Sequence, residues 1–271
     1  MDYNTFKPSA VLSPFIKCFW TLHAPASSTP EKQRIVPDGC MEMIFHCGDV
    51  YEQCLQGGSR ILQPRSFVFG QISSPLEIVP TGVSDIIAAR FFPDGFAPFT
   101  SQNINEMENQ AVSLHILFGE EGTQLENQVM RASSTTQRMK WIETFLKKKL
   151  QGEEVGERMI RSGIEVLMRL KGQVTVDQLA DQLRVSRRQL ERKFSTKTGM
   201  SPKQLSKIIR LQSSLKLLEQ KQFSNLTSLA YESGYFDQAH FIRDFKQFTG
   251  MSPKQFYADH LKLSALFIRQ E

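Results

Sequence analysis

One six-residue string, Gly-Met-Ser-Pro-Lys-Gln, stands at Gly199–Gln204 and again at Gly250–Gln255, 51 positions later. Arg192-x-Phe194 precedes the first copy and Arg243-x-Phe245 the second, at the same distance. An identical internal repeat marks one supersecondary unit used twice, so the carboxy-terminal part of the chain must fold as a duplicated architecture.

The residues around each copy say what that unit is. Val174–Leu183 is short and amphipathic, with Val176, Leu179, Ala180 and Leu183 apolar. Arg184-Val185-Ser186 reads as a turn with Ser186 as N-cap, and a second helix then runs to Thr198 with Leu190 and Phe194 inward. Two short helices with a small Ala in the first and a tight turn between them form a helix-turn-helix. The second copy runs Leu226–Ser233, Gly234-Tyr235-Phe236 and Asp237–Thr249, with Ala230 repeating Ala180. The offset is 50 in the first helices and 51 afterwards, so the second turn holds one extra residue.

Within the repeated string, Gly199 and Gly250 are suited to end a helix in the left-handed region. Ser201-Pro202 and Ser252-Pro253 then start the next helix, Ser as N-cap and Pro at the first position. Free N–H groups at such a start suit a phosphate, with Lys203 and Lys254 beside them; a purely structural cap is the competing reading. Between the copies, Pro202–Glu219 reads as one helix spanning roughly 27 Å. Two recognition helices held that far apart could enter successive major grooves, about 34 Å apart, on one DNA face.

Charge points the same way. Residues 1–152 hold 13 Lys/Arg against 15 Asp/Glu, and residues 153–271 hold 20 against 13, giving net charges of −2 and +7. Arg184–Arg210 alone contains nine cations and one acid, Glu191. A solvated helix face is the bland reading of such a run; a polyanion partner for the basic half is the other. The first recognition helix presents Arg187, Arg188, Glu191, Arg192 and Ser195 away from Leu190 and Phe194. Arg pairs with guanine O6/N7 or phosphate, and Glu191 can accept from a cytosine amino group. The second offers Gln238 for adenine, Ala239 and Ile242 for thymine methyls, and His240, Arg243 and Lys246, against an inward Phe241, Phe245 and Phe248. Arg192 and Arg243 could instead brace their own units through salt bridges.

The first hundred residues read as short strands separated by turns: Phe15–Leu22, Met41–His46, Phe67–Gln71, Leu76–Val79 and Ser84–Phe92. Pro37-Asp38-Gly39 and Pro93-Asp94-Gly95 are turn signals in which Pro presets φ and Gly accepts a positive φ. The pattern favours a small antiparallel barrel or sandwich. From Ile104 the period changes: Val112, Leu114, Ile116, Leu117 and Phe118, then Leu125, Val129 and Met130, predict short helices. Ser133-Ser134-Thr135-Thr136 starts another, striped by Met139, Ile142, Phe145, Leu146 and Leu150. Gln151–Glu154 is the expected linker, and a helix over 159–170 opens the second half. The predicted class is α+β, with a β-rich unit over 1–150, an all-α unit over 153–260 and a tail over 261–271.

Cys18, Cys40, Cys47 and Cys54 all lie in the first fifth of the chain. Without a Cys-x2-4-Cys knuckle they read as buried thiols rather than zinc ligands, despite His46 beside Cys47. No metal or other cofactor is expected. Met1–Ala10 carries no signal pattern and no apolar run approaches a membrane span, so the expected address is the cytoplasm.

Leu179-Ala180, Val185-Ser186, Leu190-x-Arg192-x-Phe194, Gly199-x-Ser201-Pro202, Arg210-Leu211 and Leu217-Leu218 together resemble the AraC/XylS family of bacterial transcription regulators. So do Leu229-Ala230, Gly234-Tyr235-x-Asp237-Gln238, Phe241-x-Arg243-x-Phe245-Lys246 and Gly250-x-Ser252-Pro253. The resemblance covers about Ile160–His260 and implies base contacts from Arg188, Glu191 and Arg192, and from Gln238, Ala239, His240 and Arg243. Ser214 departs from the usual Ala, and Phe256-Tyr257 from the family's Tyr/Phe-Arg. The first half is similar to the sensor-like domain of a subset of such regulators, through Arg34-Ile35-Val36-Pro37-Asp38-Gly39-Cys40 and Arg90-Phe91-Phe92-Pro93-Asp94-Gly95. This implies a cupin-like sensor of unknown effector, with Arg34, Glu42 and Arg90 as pocket candidates and core or ion-pair roles as their alternative. The implied partners are double-stranded DNA and RNA polymerase, with the chain as monomer or homodimer.

An enzyme is not expected. The chain has no Gly-x-Ser-x-Gly elbow, phosphate loop, dinucleotide fingerprint or His-Glu-x-x-His. The competing possibilities are a metal- or small-molecule-dependent enzyme or stress sensor tethered to DNA through the basic half, and an interaction protein whose helix-turn-helix units bind protein.

Overall fold

A computed structural model describes residues 1–55, 57–151, 155–220 and 225–258. The tail over 261–271 and most of the expected linker lie outside them. The chain folds as two units. One comprises Met1–Lys32, Cys40–Gln71 and Glu77–Glu153; the other comprises Gln33–Gly39, Ile72–Leu76 and Glu154–Glu271.

The strands are β1 (Asp2–Phe6), β2 (Ile16–Ala24), β3 (Gln33–Ile35), β4 (Glu42–His46), β5 (Tyr51–Cys54), β6 (Arg60–Leu62), β7 (Ser66–Phe69), β8 (Leu76–Pro80), β9 (Ser84–Phe91) and β10 (Ala111–Ser113). They form a six-stranded sheet, β1-β2-β9-β4-β7-β10, and a four-stranded sheet, β3-β8-β5-β6. Neither order closes on itself, so the β-rich part is a pair of open sheets rather than a barrel. Period-2 alternation sets the faces. Ile87, Ala89 and Phe91 of β9, with Met43 and Phe45 of β4 and Phe19 of β2, belong to one core. Three helices follow: α1 (Leu114–Phe118), α2 (Glu120–Arg131) and α3 (Thr135–Lys149). Leu125, Val129, Ile142, Phe145 and Leu146 add their apolar stripes to that core.

The helix signals hold closely. Ser134 accepts the Gln137 amide as N-cap of α3, inside the expected Ser-Ser-Thr-Thr start. Val112 departs from expectation: it sits in β10 opposite Val68, because three residues complete an antiparallel ladder with β7 before the first helix begins. Gly95 also departs. It is absent from the positive-φ residues, and its role is close approach, since a Cβ there would collide with the Phe15 carbonyl.

On the opposite side of β9, Arg90 is paired in register with Glu42, and its Nη1 donates to Glu42 Oε1 at 2.9 Å. Trp20 Nε1 donates to the same oxygen at 3.2 Å. His46 is 2% exposed, stacked on Tyr51 at 5.3 Å, with Nε2 3.1 Å from Gln63 Oε1. Burial lowers its pKa to about 4, the Gln63 bond raises it in part, and Arg65 lowers it further. A neutral folded imidazole opposes protonation that the unfolded chain accepts near 6.5. His46 therefore contributes stability that is present above pH 6.5 and lost as pH falls toward 4, about 3 kcal/mol in all. His46→Phe should flatten the pH dependence of the melting temperature over that window. A parent-like slope in the variant would assign the effect to another group.

The other unit is helical: α4 (Val155–Arg169), α5 (Val176–Gln182), α6 (Arg187–Thr198), α7 (Pro202–Glu219), α8 (Leu226–Glu232), α9 (Gln238–Thr249) and α10 (Pro253–Ala258). Ile160, Ile164, Leu167, Leu179, Leu190, Phe194, Leu205, Ile208, Leu229, Phe241, Phe245 and Phe248 form its core. Val36 belongs to that core too. Gln212, buried in α7, donates through Nε2 to the Pro37 carbonyl at 2.6 Å, and Arg34 Nη1 reaches the Thr249 carbonyl at 3.4 Å.

Candidate nucleic-acid interface

Each helix-turn-helix is assembled from local contacts that repeat between the copies. Thr175 and Gln178 make a capping box at the start of α5, and Asn225 and Ser228 make one at the start of α8. In the turns, the Val185 amide donates to Ala180 O at 3.1 Å and the Tyr235 amide to Ala230 O at 2.9 Å. Both turns need a positive φ, +54° at Arg184 and +78° at Gly234. Arg184 accepts the strain of the left-handed region. At 234 a Cβ would also displace the exposed Gln173 side chain. The N-caps of the recognition helices are Ser186 and Asp237. The extra residue of the second turn is thereby Phe236, which is 84% exposed.

The exits repeat as closely. Gly199 and Gly250 both adopt φ +74°. The identity extends one residue upstream of the six-residue string, to Thr198 and Thr249. Thr198 Oγ1 donates within reach of Phe194 O and Met200 O at 2.9 and 3.0 Å; Thr249 Oγ1 does so to Phe245 O and Met251 O at 2.7 and 2.9 Å. That extra identity was the sequence signal for these two buried locks. Ser201 caps α7 by accepting the Gln204 amide. Ser252 Oγ donates to Gln255 Oε1 at 2.7 Å, so its hydroxyl hydrogen is engaged within the protein.

On the outward faces, Arg188, Arg192, Arg243, Lys203, Lys246 and Lys254 are exposed. Among the described residues, no side-chain hydrogen bond or ion pair engages Arg188, Arg192 or Arg243. Ala239 is exposed and Ile242 partly buried against the core. Ser186 accepts the Gln189 amide at 3.2 Å and keeps its own hydrogen free to donate. Arg187 differs from its neighbours: Nε donates to Glu191 Oε1 at 3.1 Å and Nη1 lies 3.2 Å from Asp177. Gln238 Oε1 accepts from Thr227 Oγ1 at 3.0 Å.

His240 turns toward the protein. Its ring meets Tyr235 edge-on at 5.2 Å, and Nε2 lies 3.3 Å from Asp244 Oδ2. Asp244 is 1% exposed and its Oδ1 accepts from Lys207 Nζ at 3.0 Å, which ties α9 to α7. Sequence reading did not single out Asp244, because an acid between Arg243 and Phe245 has the look of a solvated residue. Of the effector candidates, Glu42 and Arg90 are joined in the β-rich unit, whereas Arg34 belongs to the helical one. Among the described residues no group of three or more His, Cys, Asp or Glu is placed to hold a metal ion. No helix among them is long and apolar enough to cross a membrane.

Two helix-turn-helix units with matching turns and exits, joined by one 18-residue helix, form a tandem helix-turn-helix module. The chain carries that module behind a β-rich region. Residues 179–259 match the family model described as a helix-turn-helix domain, and residues 4–113 match a domain of unknown function (DUF6597). An uncharacterized HTH-type transcriptional regulator of Haemophilus influenzae is 36% identical over 100 residues, 37% of this chain and 33% of that one. The HTH-type transcriptional activator RhaS of Escherichia coli is 34% identical over 82 residues, 30% of this chain and 29% of that one. The chain thus spans about a third of the length of the curated relatives it matches. The solved structure of ToxT from Vibrio cholerae covers 89% of this chain and 98% of its own at 13% identity and a TM-score of 0.49. That likeness is too slight to carry over a ligand or a mechanism.

Proposed function

We propose that the chain is a sequence-specific regulator of transcription that binds double-stranded DNA, with α6 and α9 lying in adjacent major grooves. The observation that carries this reading is the unengaged, exposed set Arg188, Arg192 and Arg243 on two equivalent helices of a duplicated helix-turn-helix. Cations without internal partners suit a phosphate backbone and the acceptor edge of guanine. Lys203 and Lys254, beside the starts of α7 and α10, serve phosphates next to those grooves. Because one chain carries both readers, a monomer can occupy two boxes; a homodimer would double that. The β-rich unit acts as the modulating part and RNA polymerase as the downstream partner, with the cytoplasm as the site of action. The chain acts by binding rather than by catalysis.

Arg192→Ala tests the reading. It should weaken binding to the preferred duplex by about 1–3 kcal/mol and relax base choice at one position of one box. Binding is measured by anisotropy after selecting the preferred sequence from a randomised duplex pool. Parent-like affinity and selectivity in the variant would defeat the assignment.

A further inference from the structure

The two units share a contact that neither the repeated string nor the outward cations explain. In each, the second residue of the first helix holds the first residue of the recognition helix. Asp177 is the second residue of α5 and Thr227 the second of α8, 50 positions apart. Arg187 opens α6 and Gln238 opens α9, 51 positions apart. The equivalence is therefore positional, although the four side chains have nothing in common chemically between the copies.

In the first unit, Asp177 Oδ1 and Oδ2 lie 3.3 and 3.2 Å from Arg187 Nη1. The Nε of the same guanidinium donates to Glu191 Oε1 at 3.1 Å. One cation is thus held between two carboxylates, and the three groups together carry a net charge of −1. In the second unit a neutral pair replaces it: the Thr227 hydroxyl donates to Gln238 Oε1 at 3.0 Å. With its carbonyl oriented by that bond, Gln238 has its NH2 group left for an outside acceptor.

These contacts are exposed, with 54% of the Arg187 side chain and 67% of the Asp177 side chain accessible. Exposed ion pairs contribute little to folding, so stability does not account for them. Their place at the opening of the recognition helix does. N-terminal residues of that helix are the ones that reach base edges in this kind of module.

We propose that Asp177 and Thr227 are positioning residues for sequence reading. Asp177 withholds Arg187 from the phosphates, and the held Arg187 in turn fixes Glu191. Thr227 orients Gln238 so that it donates to a groove acceptor such as guanine O6 or N7 or thymine O4. The Gln238 carbonyl keeps a second lone pair, so the same orientation also serves a bidentate adenine contact, in which the oxygen accepts from N6 and the NH2 donates to N7. The inference rests on the proposal that α6 and α9 are the reading helices.

The test uses the full chain and a randomised duplex pool. Thr227→Val should change the preference at one base position of one box roughly fivefold or more, leave the other positions as in the parent, and leave the melting temperature in place. Thr227→Ser, which keeps the hydroxyl, should restore the parent preference. Asp177→Ala leaves Arg187 only the exposed Glu191 pair, too weak to keep it from a phosphate, so the plot of log affinity against log salt should steepen by about 0.9. Asp177→Ala with Arg187→Ala should return it to the parent slope. Thr227→Val with unchanged base preference, or with equally weakened binding to every sequence, overturns the Thr227 role. An unchanged salt slope in Asp177→Ala overturns the Asp177 role. Arg192→Ala in the same assay separates the two levels. If it behaves as expected while these variants match the parent, only this inference fails; if it too matches the parent, the assignment of the reading helices fails first.

Discussion

Phe245→Ala should cost the helical unit about 3–5 kcal/mol and abolish reading of one of the two boxes. Phe245 is 0% exposed. Its ring meets Phe241 and Phe256 edge-on, with centroids 5.5 and 5.3 Å apart. Those partners come from α9 itself and from α10, so truncation removes the contact between the recognition helix and the helix beyond its exit. Phe241 is fully buried and Phe256 partly so. Domain stabilities run to about 5–15 kcal/mol, so the loss is a large share of the whole. Urea denaturation at 25 °C should show a clearly lower midpoint, and duplex binding should shift to a single-box footprint. A loss below about 1 kcal/mol would mean that the site collapses around the missing ring.

The second large effect is expected from Lys207→Met. Asp244 is 1% exposed, and its Oδ1 is held by Lys207 Nζ at 3.0 Å. Its Oδ2 has His240 Nε2 at 3.3 Å, inside ion-pair range, but accepts no aligned hydrogen bond among the described residues. Removing the ammonium leaves a desolvated carboxylate without its main partner, which costs about 3 kcal/mol or more. Replacing both, with Lys207→Met and Asp244→Leu together, should recover most of the loss, because an apolar pair of similar volume has no charge to desolvate. If the single variant melts with the parent, then His240 alone suffices for Asp244. If the double variant is no better than the single, packing rather than charge dominates that contact.

The parts of this fold written in neighbouring residues were legible in the sequence. A left-handed glycine, a Ser-Pro start and an N-cap are settled within four residues, and Gly199, Ser201, Pro202 and Ser186 all stand where those rules put them. The central strands were legible because β2, β4 and β9 alternate around a core. Strands β5 and β6 were not. Arg60–Leu62 is exposed throughout and Tyr51–Cys54 is half polar, so only their partners define them as strands. At the interface, helical spacing separated inward from outward faces, but it could not tell an engaged cation from an unengaged one. Arg187 and Arg188 are neighbours with the same side chain; Asp177, ten residues before Arg187, is what distinguishes them. His240 lies on the outward face of α9 by spacing, and the fold turns it to Asp244.

Val36 and Pro37 give the helical unit a history as well as a shape. The Pro37 carbonyl that Gln212 grips lies 175 positions earlier in the chain. Contacts closed over so long a loop form late and slowly compared with helix-turn-helix contacts, which are local. During synthesis the residues around Val36 leave the ribosome well before α7 exists to receive them. The two helix-turn-helix units can therefore form quickly from nearby residues, whereas the interior between them is completed only when a piece of the chain's first half returns to it. Assembly of the module thus has a final step that its own duplicated sequence does not contain.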